Sequence, residues 1–196
     1  MPEFVCFHLE PCSGAHSITC DGTGSNPSVT AEVATRFWDW MKRICPEEMS
    51  SVLDAGSGLG YLGKHLDDCG VEAVCVEGNR ELANQAVYST VICDLSKPIE
   101  DPPTFAAIAG FEMLEHQAHE EAALTVLKNF RAMTKYLFVS VHEDGPENDH
   151  HSLIRKYEWW CERFATTGWV PVVCIPARDI QSSGWSGSKL VMLRGQ

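Results

Sequence analysis

Two short stretches hold the residue types that chemistry needs. Residues 54–60 read Asp-Ala-Gly-Ser-Gly-Leu-Gly. Alternating glycines let backbone approach a ligand with no Cβ in the way. Asp54 follows the apolar pair Val52-Leu53, and its carboxylate suits a cationic ligand group better than a phosphate. Residues 111–116 read Phe-Glu-Met-Leu-Glu-His. Glu112, Glu115 and His116 could move a proton, or hold a hard divalent ion. Further imidazoles stand at His119, His142, His150 and His151. Glu112, Glu115, His116, His119, His142 and His151 are all candidate bases, and residue type alone does not choose among them.

These groups must be held by something. Apolar runs end at Leu53, Val76, Cys93, Gly110, Val141, Ile175 and Leu193, each short enough for a strand buried on both faces. Helical patterns lie between them, at Tyr61–Cys69, Arg80–Tyr88, Ala118–Met133 and Tyr157–Phe164, with Gly70 and Gly168 as stops. Before the first strand, Ser28 to Cys45 is the clearest helix. Val29, Val33, Phe37, Trp40, Met41 and Ile44 share one face, Ser28 or Thr30 can cap it, and Pro46 ends it. Strands alternating with helices predict an α/β chain with a mostly parallel sheet. Such sheets bind ligands beyond the carboxyl ends of their strands. That edge is where Asp54, Glu77 and Asp94 fall.

Glu77 closes the second strand and is followed by Gly78-Asn79. At a solvent-facing strand end it can accept two hydrogen bonds from a ribose diol. Gly58-Leu-Gly60-Tyr-Leu-Gly63 also fits the dinucleotide pattern Gly-x-Gly-x-x-Gly, with Glu77 19 residues after Gly58. A nicotinamide enzyme therefore competes at this motif.

The second stretch decides between the two. An acid, one residue and then Gly-x-Gly-x-Gly resembles motif I of the class I S-adenosylmethionine-dependent methyltransferases. Phe111 to His116 resembles the Phe-Glu-x-Leu-Glu-His segment after their fourth strand, and a hydride-transfer enzyme has no use for it. His151 ahead of Glu158-Trp159-Trp160 is similar to a subset that methylates small molecules. The resemblance implies a Rossmann-like fold. Its seven-stranded sheet is mostly parallel with an antiparallel last strand, and helices cover both faces. It implies S-adenosylmethionine as cofactor and S-adenosylhomocysteine as product. Asp54, Gly56, Ser57, Gly58, Gly60, Glu77, Gly78, Asn79, Asp94, Leu95 and Glu112 would line the cofactor. Asp94 would receive the adenine amino group, with Leu95 against the ring. Glu112, His116 and His151 would be the catalytic set, with no metal.

Composition bounds the partners. The chain of 196 residues has 27 acidic and 15 basic side chains, a net charge of −12. A nucleic-acid groove should be basic, so a small-molecule acceptor is expected. The alternative is a metal-assisted RNA 3′-terminal ribose methyltransferase, since those enzymes share Glu-x-x-Glu-His with a later His. Glu112, Glu115, His116 and His150 or His151 would be its ligands. A third reading is a non-catalytic module that binds S-adenosylmethionine. The nine cysteines form no Cys-x-x-Cys pair and are read as free thiols in a cytoplasmic protein. Residues 1–20 lack the basic start and apolar core of a leader, and no apolar run suggests a membrane span.

Residues 1–27 are read as an arm or lid, and 28–196 as one domain. Four-residue spacing of His8, Cys12, His16 and Cys20 suggests a metal only if a helix aligns them, and Pro11 and Gly14 prevent that. His8, His16, Arg155, Arg178 and Trp185 join the later histidines in segments expected to close over the acceptor.

Overall fold

The computed structural model describes residues 30–144, 151–180 and 187–196. The 1–27 arm, His150 and Trp185 lie outside the described residues, so the expectations placed on them are not taken further.

The chain runs α1 (Ala31–Ile44), β1 (Ser51–Ala55), α2 (Tyr61–Asp68), β2 (Glu72–Glu77), α3 (Arg80–Gln85) and β3 (Thr90–Ile92). It continues through β4 (Ala107–Gly110), α4 (Glu120–Met133), β5 (Tyr136–His142), α5 (Tyr157–Thr166), β6 (Trp169–Pro176) and β7 (Ser188–Gly195). The seven strands form one sheet in the order β3-β2-β1-β4-β5-β7-β6. Neighbours from β3 to β5 pair in parallel, whereas β7 runs antiparallel to both β5 and β6. The Rossmann-like sheet with an antiparallel last strand is therefore present.

Strand side chains alternate between faces, and the core divides accordingly. Leu53, Ala55, Ile108, Leu137, Val139 and Val141 pack with α4 and α5 on one side. Val52, Ala107, Ala109, Tyr136 and Phe138 pack with α1 and α2 on the other. The aromatic stripe of α1 is core. Phe37 stacks on Phe111 at 4.1 Å, and Trp40 meets Phe138 edge-on at 5.6 Å. Phe111 is thereby pinned immediately before Glu112.

Element ends differ from the sequence reading for local reasons. Thr30, one of the two expected caps, holds the start of α1, its side chain accepting the Val33 N–H; Ser28 lies outside the described residues. α3 stops at Gln85 rather than Tyr88, because the Val87 N–H donates to the Leu59 carbonyl in the glycine loop at 2.8 Å. β4 begins at Ala107 rather than Phe105, whose N–H bonds Met133 outside the ladder. α4 begins at Glu120 rather than Ala118, with the His119 ring as its cap.

Cys45, Cys69, Cys75, Cys161 and Cys174 are free thiols, but Cys93 is disulfide-bonded. Pairing depends on Cα proximity in space, which cysteine spacing does not show. No helix among the described residues is long and apolar enough to cross a membrane.

Candidate active site

Each of the three glycines after β1 has a left-handed backbone, with φ of 67° at Gly56, 55° at Gly58 and 75° at Gly60. A side chain would be strained at any of them. Gly56 must also be bare because a Cβ there would lie 2.9 Å from the Met113 Cβ, whereas a Cβ on Gly58 would meet no atom within 4 Å. The loop thus rests on the 111–116 segment at one glycine and opens to free space at the next. The loop is tied to β2 by Gly56 and Ser57 N–H groups, which both donate to the Val76 carbonyl. The Ser57 Oγ is buried with no hydrogen-bond partner.

Asp54 does something the sequence reading did not foresee. It is 5% exposed, and its Oδ2 accepts the Gly63 N–H at 3.0 Å and the Cys75 thiol at 3.6 Å. Gly60 holds the cap position ahead of α2 but has no side chain to cap the helix, so the first-turn N–H groups need another acceptor. Asp54 supplies one from β1. The bonds fall on Oδ2, so Asp54 braces α2 in addition to the ligand-facing role expected of it. Burial pushes its carboxyl up to about 7, against the two hydrogen bonds and helped by the charge of Glu77.

Glu77 is also more enclosed than a solvent-facing strand end, at 7% exposed. Its Oε2 accepts the Gly58 N–H at 2.9 Å and its Oε1 the Asn79 N–H at 2.7 Å. Desolvation raises its carboxyl, opposed by the N–H groups of Asn79, Gly58 and Gly78 and by the nearby His116. One carboxylate therefore couples the glycine loop to the start of α3. Asn79 caps that helix through Oδ1.

Asp94 and Leu95 follow β3. The Asp94 Oδ1 takes the N–H and hydroxyl of Ser96, at 3.0 and 2.6 Å, and Leu95 belongs to the buried apolar cluster. Asn129 of α4, buried, holds this loop. Its Nδ2 donates to the carbonyls of Leu95 and Lys97, at 2.9 and 2.7 Å, and its Oδ1 accepts the Ile99 N–H at 3.3 Å. Sequence reasoning passed over Asn129. A poor helix former beside the apolar positions of α4 was the available signal.

A second group gathers beyond β4 and β5. Glu112 has a φ of 52°, and its N–H donates to the Ser140 Oγ at 2.6 Å. The Ser188 hydroxyl donates to Glu112 Oε1 at 3.5 Å and lies 2.8 Å from His142 Nδ1. His142 and Ser188 face each other across the β5–β7 ladder. Glu115 is fully buried, no donor lies within hydrogen-bond distance of its oxygens, and its carboxyl interacts with that of Glu112. Desolvation pushes both carboxyls up, and the charge of Glu115 raises Glu112 further.

His116 and His151 join this wall. Their ring centroids are 4.7 Å apart, and His151 stacks on His142 at 5.6 Å. The 151–157 segment is drawn in by the Leu153 N–H on the Glu115 carbonyl and the Arg155 N–H on the His142 carbonyl. Two expected contributors are elsewhere. His119 Nδ1 accepts the Ala122 N–H as the cap of α4, which occupies that ring nitrogen. Arg178 is exposed in a 3-10 turn, Ala177–Asp179. Ser140 and Ser188 were missed, although Ser140 shares a strand face with His142 by simple alternation.

Residues 29–180 match the family model described as a methyltransferase domain. No curated protein matches the sequence. Among solved structures, the chain is similar to the 1,6-didemethyltoxoflavin-N1-methyltransferase of Burkholderia thailandensis, crystallised with its acceptor and S-adenosylhomocysteine. That match has 18% identity and a TM-score of 0.65, over 85% of this chain and 79% of that one. A TehB-like methyltransferase of Corynebacterium glutamicum matches at 17% identity, covering 89% and 92%, with a TM-score of 0.65. The magnesium protoporphyrin IX methyltransferase of Synechocystis with bound S-adenosylhomocysteine matches at 13% identity, covering 85% and 83%, with a TM-score of 0.66.

Proposed function

The chain belongs to the methyltransferase-domain family, and on that premise we propose that it is an S-adenosylmethionine-dependent enzyme with a small-molecule acceptor. The observation that carries this reading is the pairing of an open glycine backbone at Gly58 with an imidazole and carboxylate wall beyond it. Similar structures with bound S-adenosylhomocysteine, one of them also holding 1,6-didemethyltoxoflavin, support it, as does the net charge of −12.

The residues present fit the cofactor. Gly58 lets backbone come close where any side chain would intrude into free space. The Glu77 oxygens accept backbone N–H groups on both sides, and the carboxylate keeps lone-pair capacity for a ribose hydroxyl. Asp54, Gly56, Ser57, Gly60, Gly78 and Asn79 shape this half. Asp94 and Leu95 border the adenine side.

When bound, S-adenosylmethionine supplies a methyl group already activated on sulfur, so the protein's work is positioning and exclusion of water. The charge of His116 acts on Glu77 and its ring centroid lies 4.7 Å from that of His151, which supports a role for it between the cofactor half and the rest of the wall. His116, His151 and Glu112 are then the groups to accept a proton from the incoming acceptor.

Incubation with S-adenosylmethionine bearing a deuterated methyl and a metabolite extract tests the reading. The label is expected in a small molecule by mass spectrometry. Label confined to RNA or protein would overturn it.

A further inference from the structure

We propose that Glu112, Glu115 and His142 form a binding site for a divalent first-row cation, beside the acceptor face of the sheet. This departs from the metal-free expectation and goes beyond the proposed activity. One carboxylate oxygen from each glutamate and one ring nitrogen of His142 all lie within 4.8 Å of one another. Metal–ligand distances near 2.1 Å span up to about 4.2 Å between ligand atoms, so a small side-chain movement closes the triad on an ion.

The second observation is Glu115 itself. It is fully buried, no donor lies within hydrogen-bond distance of either oxygen, and the side chain it interacts with is a second desolvated acid, Glu112. Two desolvated acids side by side are costly as a pair of charges, and a cation between them removes that cost. The supporting contacts also fit a metal site. Hydroxyls of Ser140 and Ser188 hold Glu112, the Ser188 Oγ holds the Nδ1 edge of His142, and His151 stacks on that ring. Such partners orient ligands and tune an ion.

Two carboxylates with one imidazole suit Mn²⁺ or Zn²⁺ rather than a soft-metal site. Three protein ligands leave positions open, and an oxygen of the acceptor can take one. An ion there would make the acceptor easier to deprotonate, and the proton released would pass to His116 or His151.

Mn²⁺ titration of the full chain, followed by electron paramagnetic resonance, reads the site without any turnover. One bound ion per chain is expected. Glu115→Gln and His142→Ala should each weaken it about tenfold or more, at least the scale of supporting-residue changes. Glu121→Gln, at an exposed acid on α4, should leave it unchanged. Each variant is also titrated with S-adenosylhomocysteine. Retained binding of that ligand shows a folded variant, and its loss from the unaltered protein would strike the cofactor reading alone. No bound Mn²⁺ on the unaltered protein, or equal binding by both folded variants, would overturn the metal site.

Discussion

The imidazole rings of His142 and His151 lie 5.6 Å apart and only 6° from parallel. One ring ends β5 and the other begins the segment that leads to α5. Two backbone hydrogen bonds draw that segment across the sheet edge, from Leu153 to Glu115 and from Arg155 to His142. Leu153 is buried in the core beneath them. The wall of the site is therefore anchored by packing as much as by its own polar contacts.

Glu77→Ala should weaken S-adenosylhomocysteine binding by about 2–4 kcal/mol, as two charge-assisted hydrogen bonds are lost. Because Gly58 and Asn79 also lose their acceptor, the melting temperature should fall while the fold persists. Isothermal titration beside a thermal melt checks both, with NAD expected not to compete. An unchanged Kd would mean that another group holds the ribose.

Asp54 links stability to pH. Its folded value of about 7 is raised from 3.8, so between those values the folded state holds a proton that the unfolded chain has lost. Its stabilising contribution is full below pH 3.8 and is lost as pH rises through about 7. Asp54→Asn keeps an acceptor for the Gly63 N–H but cannot titrate. Urea melts of both proteins across this range should show the native protein losing stability relative to the variant as pH rises. A difference that does not change with pH would refute the assignment.

Gly63 is bare for lack of space. A Cβ there would sit 2.0 Å from the Cys75 Sγ. Gly63→Ala should destabilise by about 1–3 kcal/mol, the usual scale of overpacking. Much of that should return in the Gly63→Ala, Cys75→Ala double variant, measured as a coupling energy in a double-mutant cycle. Absence of coupling would mean the helix simply shifts outward.

Asn129→Ala leaves two carbonyls and an N–H of the 95–99 loop without their partner. A stability loss of about 1–3 kcal/mol is expected. S-adenosylhomocysteine affinity should fall as well, because the loop directly follows Asp94. Equal affinity in a destabilised variant would confine Asn129 to a structural role.

Much of this was legible in the chain because it is written in local periodicity. The strand–glycine–helix order at 52–69, the aromatic face of α1 and the two-faced burial of the strands each follow from spacings of 2 and 3.6 residues. The positive-φ glycines after β1 were likewise readable, since only glycine adopts that backbone without strain. What a polar side chain does with its hydrogen bonds was not readable. Asp54 and Glu77 were placed correctly at strand ends, yet their oxygens turn to backbone N–H groups of Gly63, Gly58 and Asn79. His119 looks like a base in sequence and caps a helix in space. Above all, Glu112 and Glu115 meet His142 because β4 and β5 pair side by side, and Ser188 joins them because β7 inserts antiparallel beside β5. That register pairs residues 46 positions apart, and sequence spacing along either strand does not encode it.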